Sequence, residues 1–533
     1  MRQAALRVFS VLWCSASLAA CSPGAGLRSD QHVLRIADTS DPETLNPLLA
    51  HDQDTIGWDQ LYSQTLVGLD AHNETVPILV TRVPSRANGD VSRDGKTIVY
   101  HLRRGIRFAD GAPLTSADVA FTYRAILDPR NNVLSVDAYQ RVTSLRTPDA
   151  HTVIIHLRSP WNAAPNVLFA QADFAFGILP AHAFTGTDVV HAAWNQHPFG
   201  TGPFKVVDWR RSDAVVLEPN PYFKPKPRLQ RIILRMIPNT NSAFVALRTH
   251  EVDVAVLTPD ELGEARDDTS FRILRTPENA TVWFSLQTQG VPTNDIRVRR
   301  AIADSIDVQA MRKAYADAYE PASSFLPRVF THWQDRSIPV RVYDPQRAAS
   351  EFDVAGWHLR NGTRMKDGRA LDGVLVLIAG RALETRIAAI AQEQLATAGM
   401  HVTIKPFPTA MFNAPDGPIR NGRYTLSEDG WLGGGDPEQS VVFACSQAGV
   451  NGNNISRFCD PRVDALFADQ QRTRDVARRH ADIIGMQQVV RDQVPVVPLY
   501  YETYLEGVDT HVSGFARNML RYPVDPQNWD LRP

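Results

Sequence analysis

The chain has 533 residues, more than one ordinary hydrophobic core accommodates, and its length suggests roughly three domains. Lys plus Arg number 56 against 58 Asp plus Glu, and 44% of residues are hydrophobic, the composition of a soluble globular protein. That near balance lacks the basic excess that phosphate backbones attract, so nucleic acid is excluded as an expected partner.

In chain order, Arg2 and Arg7 precede an apolar run from Val8 to Ala20 that is too short to span a bilayer as a mature helix, and residues 1–20 read as an export signal. Its end, Leu18-Ala19-Ala20-Cys21, resembles a bacterial lipobox. Cys21 would then be lipidated, each buried methylene of its acyl chains adding about 0.8 kcal/mol of membrane affinity. The expected location is the extracytoplasmic face or periplasm, with the protein lipid-anchored to the membrane. Residues 21–32, with Pro23, Gly24 and Gly26, read as a tether, and no later apolar stretch reaches the length of a span.

Between Thr97 and Leu102, Ile98, Tyr100 and Leu102 alternate with Thr97, Val99 and His101, the period of a half-buried strand. Thr115-Ser116-Ala117-Asp118 fits a capping box, with Val119, Tyr123 and Ile126 on one face of the helix it would start. Strand-like runs recur at Thr152–Leu157, Val215–Leu217 and Ile232–Ile237. Asp344-Pro345 and Asp460-Pro461 each place a capping Asp before a Pro at the first helical position. Val374–Ala379 is a continuous apolar run, Leu383, Ile387 and Ile390 mark a helix face, and Gly399 ends it before His401–Phe407. This strand-helix-strand unit predicts parallel strands and an α/β lobe.

Cys14 and Cys21 belong to the signal and its end, which leaves Cys445 and Cys459. In an oxidising compartment they form either a disulfide, whose loop of about 15 residues would stabilise by roughly 3 kcal/mol, or two buried thiols. The chain has no H-E-x-x-H, no nucleophile elbow, no phosphate-cradling glycine loop and no C-x-x-C, and its 15 His are scattered. No catalytic residue, metal site or cofactor is expected.

Several ordered segments are similar to one family. They include Asp41-Pro42-Glu43-Thr44-Leu45-Asn46-Pro47, the run from Asp94 through Gly111 with Pro113-Leu114-Thr115 and Asp118-Val119, and Gly200-Thr201-Gly202-Pro203-Phe204. Glu251-Val252-Asp253, Asp295 to Ile302, Tyr343-Asp344-Pro345, Ala355-Gly356-Trp357 and Pro495 to Tyr500 continue the series. Together they resemble the bacterial extracellular solute-binding protein family 5, the dipeptide-, oligopeptide- and nickel-binding subunits of ABC importers. The resemblance covers nearly all of the mature chain. It implies an α/β, bilobal fold of the type II periplasmic-binding-protein kind, with an extra subdomain and two lobes joined by a hinge. The implied division is residues 33–70, 196–290 and 498–533 for lobe I, 71–195 for its extra subdomain, and 291–497 for lobe II.

The function so implied is a monomeric, non-enzymatic lipoprotein that captures di- or oligopeptides and delivers them to ABC permease subunits. The alternatives are a nickel chelate, an opine-like compound or an oligosaccharide in the same fold, or a ligand-presenting sensor or chaperone. In Gly430-Trp431-Leu432-Gly433-Gly434-Gly435-Asp436-Pro437, glycines at Gly433 and Gly434 would let backbone approach a ligand and Trp431 would offer a flat wall. The resemblance places an ammonium-binding Asp in this stretch, yet Gly434 stands at that place and the loop is one residue shorter. Asp436 either substitutes or caps the turn before Pro437. Arg381, after the apolar strand, suits a peptide carboxylate. Asn46, Leu48, Trp283 and Phe284 are further candidates, each set against simple core packing.

Overall fold

The capping box predicted at Thr115 forms: the Thr115 backbone N–H donates to Asp118 Oδ2 at 2.8 Å, and Asp118 Oδ1 accepts from the Ala181 N–H at 3.0 Å. It starts the helix Ser116–Leu127, whose Val119 and Ile126 are buried. The helix covers a three-stranded sheet in which Thr97–His101 and Val142–Asp149 flank Thr152–Leu157. Ile98, Tyr100, Val153 and Ile155 point from that sheet into the same core. The computed structural model that shows this describes residues 32–171, 175–473 and 475–532. The export signal, Cys21 and the tether as far as Gln31 lie outside the described residues.

The crossover read from the sequence is also present. Strand Asp372–Ile378 runs parallel to His401–Phe407, and helix Ala382–Thr397 between them buries Ile387, Ala388, Ala391 and Leu395. Gly399 ends that helix region at φ +86°, a left-handed conformation that favours glycine, and a Cβ there would fall 2.7 Å from Leu359 Cδ1. Asp344 and Asp460 cap the helices Pro345–Val354 and Pro461–Arg472.

One 11-stranded sheet organises the rest. From one edge its strands are His401–Phe407, Asp372–Ile378, Leu426–Leu432, Phe271–Leu286, Val496–Asp509, Val254–Val256, Val33–Asp38, Arg231–Met236, Ala214–Pro219 and Phe204–Arg210. Glu320–Pro321 pairs separately with Val496–Asp509. The two long central strands lie antiparallel from Phe271 opposite Asp509 to Ser285 opposite Val496, and their register shifts between Pro277 and Thr281. Pro277 has no N–H to give the ladder, and such an irregularity bends and twists a strand locally. On one side of it the sheet packs around Phe284, Leu375, Ile387 and Leu426. On the other it packs around Leu34, Ile36, Leu217 and Leu234. The molecule is therefore bilobal, its two lobes sharing the pair of long strands as a hinge.

At the end of strand Val496–Asp509, His511 Nε2 lies 3.2 Å from Asp253 Oδ1 and its Nδ1 contacts Asp509, which His250 Nδ1 reaches at 2.7 Å. Hydrogen bonds to Asp253 and Asp509 push the His511 imidazole up to about 9, from an ordinary value of about 6.5. Because the folded value is raised, its stabilisation is complete below about pH 6.5 and is lost as pH rises through about 9. The expected result is a falling thermal midpoint across that window, a fall that His511→Gln reduces when both proteins are melted from pH 6 to 9.5.

Candidate functional site

A cleft of about 370 Å³ opens beside the register break. Val282 comes from one long strand, and Tyr500 and Glu502 come from the other. Leu377 and Ile378 end the parallel strand Asp372–Ile378, and Arg381 and Glu384 follow at the start of helix Ala382–Thr397. Crevices beyond the carboxyl ends of parallel strands are where open α/β sheets take ligands. Strand Leu426–Leu432 supplies the floor with Glu428, Asp429, Gly430 and Trp431. Gly430 is there because the neighbouring strand passes so close that a Cβ would lie 2.8 Å from the Thr281 carbonyl oxygen.

The charges in this cleft are unusually placed. Three carboxylates, on Glu384, Glu428 and Glu502, line it with two guanidiniums, on Arg381 and Arg420, while the Asp429 side chain turns to the other face of its strand. Arg381 lies 3.4 Å from Glu384, and Arg420 donates to the Gly452 carbonyl. Glu428 is 5% exposed, and neither of its carboxylate oxygens has a hydrogen-bond partner among the described residues. Burial, then repulsion from Glu384 and Asp429, holds the Glu428 carboxyl well above the ordinary range. Asp429 accepts from Ser285 Oγ at 2.9 Å, yet burial pushes it up to about 7. Glu502 is likewise pushed up to about 7, by burial and by the charge of Glu278, which itself is bound by Arg521. Tyr319 stacks on Tyr500 with ring centroids 4.8 Å apart, backing the cleft with an aromatic layer.

Of the residues singled out from the sequence, Trp431 and Arg381 line the cleft. Gly433 donates its N–H to the Asn279 carbonyl at 2.9 Å, and the Gly434 carbonyl accepts from the Asn279 side chain, so both are tied to a long strand. Asp436 is buried; its Oδ1 pairs with an Arg479 guanidinium nitrogen at 2.5 Å and accepts from the Glu438 N–H at 3.1 Å. Asn46 is fully buried, donating to Asn195 Oδ1 at 2.9 Å and accepting from the Leu48 N–H at 3.0 Å. Leu48 packs in the core with Leu66 and Phe169. Trp283 packs on Phe443 and donates to Ser285 Oγ, and Phe284 is fully buried beside Leu426. Cys445 and Cys459 are joined in a disulfide. The carboxylates of the cleft were missed from sequence, although Glu428-Asp429 inside a strand and Arg381 with Glu384 one helical turn apart were visible signals.

Among the described residues, no group of three or more His, Cys, Asp and Glu side chains is arranged to hold a metal ion. Nor is any helix of the described residues long and apolar enough to cross a membrane.

The chain is 22% identical to the ABC transporter substrate-binding protein CtaP from Listeria monocytogenes, whose crystal structure superposes with a TM-score of 0.81 over 95% of this chain and 100% of that one. Two lobes joined by shared strands, with a cleft at the join, make this a type II periplasmic binding protein in fold. The chain belongs to the bacterial extracellular solute-binding proteins, family 5, whose middle-region model matches residues 74–453. It is 28% identical to Protein XP55 of Streptomyces lividans over 471 residues, which are 88% of this chain and 83% of that protein. It is also 25% identical to Di/tripeptide-binding protein 2 of Pseudomonas aeruginosa over 553 aligned positions, covering 98% of this chain and all of the relative.

Proposed function

We propose that this protein is the substrate-binding lipoprotein of an ABC importer, capturing di- or oligopeptides outside the cytoplasmic membrane and handing them to the permease. The observation that carries this reading is the cleft at the shared strands, where charged groups of both signs stand between apolar and aromatic walls. A peptide offers an ammonium, a carboxylate and side chains of mixed polarity, and such a cleft has a counterpart for each. The relative named for di- and tripeptides supports the same substrate class. In this reading Trp431 packs against the ligand, Arg381 competes between Glu384 and a ligand carboxylate, and Asp436 braces the loop through Arg479. The lobe boundaries expected from the sequence and the lipid anchor at Cys21 are part of the same proposal.

Closing two lobes over a solute removes water and strengthens each polar contact. Thermal unfolding screened against dipeptides, longer peptides, nickel chelates and oligosaccharides tests the proposal. A peptide at 100 times its dissociation constant is expected to add about 2.7 kcal/mol and raise the melting temperature. A shift with a chelate or oligosaccharide and none with any peptide would replace the peptide assignment by the second reading, which Gly434 at the anchor position favours.

A further inference from the structure

We propose that Glu428, with Glu502 across the cleft, forms a subsite for a basic side chain of the bound peptide, so that this protein prefers peptides carrying lysine or arginine. The inference rests on the peptide-binding reading and narrows it to a substrate class.

Glu428 projects from strand Leu426–Leu432, opposite Phe284 in the neighbouring long strand, and lines the cleft while remaining 95% buried. Both its oxygens lack a hydrogen-bond partner among the described residues. A buried carboxylate without a partner is strongly unfavourable, and it is relieved by taking a proton or by receiving a cation. Neither guanidinium of the cleft hydrogen-bonds to it: Arg381 turns to Glu384 and Arg420 to the Gly452 carbonyl. The charges acting on Glu428 are those of Glu384 and Arg381 at the helix start and of Asp429 on its own strand, and Glu428 acts in turn on Tyr500 of the second long strand. Glu502 and Arg420 line the same cleft. Carboxylates outnumber guanidiniums, so an arriving ammonium or guanidinium reduces the excess of acidic groups and gains charge-assisted hydrogen bonds. Trp431 and Tyr500 line the same cleft and offer aromatic surface to a cation.

The test measures dissociation constants by calorimetry for tripeptides of alanine in which lysine, or its uncharged isostere norleucine, occupies each position in turn. At pH 8 lysine at one position is expected to bind about tenfold tighter than norleucine at the same position, about 1.4 kcal/mol. Glu428→Gln is expected to erase that preference, lysine and norleucine peptides then binding within about twofold of each other. As pH falls to 5 the preference shrinks in the unmodified protein, because Glu502, pushed up to about 7, takes up a proton. A melting curve of unliganded Glu428→Gln at pH 8 is expected to show a midpoint no lower than that of the unmodified protein, since glutamine fills the same space without an acid group that burial disfavours. Equal binding of lysine and norleucine peptides, or a preference that survives Glu428→Gln, overturns the subsite and leaves the peptide reading intact. Binding of none of these peptides overturns both.

Discussion

Replacing Arg517 by alanine is expected to cost about 3–5 kcal/mol, the penalty for removing one partner of a buried ion pair. Arg517 Nε donates to both carboxylate oxygens of Glu506 at 2.9 Å, and its Nη1 donates to the Arg521 carbonyl at 2.6 Å. Both residues are buried, at 7% and 1% exposure, and the guanidinium lies 4.1 Å over the Trp58 ring. The pair therefore fastens the C-terminal segment to the second long strand and to the helix Gln53–Asp59 that carries Trp58. Burial already raises the Glu506 carboxyl, and Arg517 is what draws it back. Without the guanidinium the folded-state value rises further above the unfolded one, so the deficit grows as pH climbs from the unfolded carboxyl range. Urea unfolding at pH 5 and pH 8 checks this: a larger deficit at pH 8 is expected, with most of it recovered in the Arg517→Met, Glu506→Gln double variant. A loss under about 1 kcal/mol at both pH values would show the pair to be dispensable.

Opening the Cys445–Cys459 disulfide is expected to lower the unfolding free energy by about 3 kcal/mol, the loop-closure value for its span. The two cysteines are 14 residues apart, and the enclosed segment brings Asn453 and Ile455 to the cleft wall. Asn454 within it donates to the Ala444 and Phe458 carbonyls and is buried, so part of the loop's order survives reduction. Guanidinium titrations with and without reductant, and of the Cys445→Ser, Cys459→Ser double variant, should give the same lowered midpoint. Weaker ligand binding by the reduced protein is expected as well, because two cleft residues lose their tether. Unchanged stability on reduction would mean that the surrounding packing alone restrains the loop.

Much of the architecture follows from short-range pattern. The capping box at Thr115, the alternation at Ile98 and Tyr100, and the crossover ended by Gly399 all depend on residues a few positions apart, and each forms where the pattern places it. Boundaries moved by one or two residues: the run read as Ile232–Ile237 is Arg231–Met236, and Val374–Ala379 is Asp372–Ile378. The family resemblance reached further and supplied the two lobes, since no local pattern says that Phe271–Leu286 and Val496–Asp509 are neighbours.

The site was much less legible. Trp283 and Phe284 are candidates for a ligand set against core packing, and their strand lies within the large sheet with both faces covered, so each side chain is packed whichever way it points. Asn46 found Asn195, 149 residues away, and Asp436 found Arg479, 43 residues away. Partners at such distances satisfy a polar group in ways that its own neighbourhood does not announce. Conversely, Glu428 sits in a stretch that looks like an ordinary half-polar strand, and only the folded arrangement leaves its carboxylate buried without a hydrogen-bond partner.

Periodicity, capping and turn chemistry act over a few residues, and with the order of the family-like segments they were enough to settle an α/β, two-lobed binding protein. The charge content of the cleft was settled by tertiary structure alone. Electrostatic and hydrogen-bond partners are chosen by proximity in space, and the residues that meet at the join of the lobes come from strands and helices more than 100 positions apart.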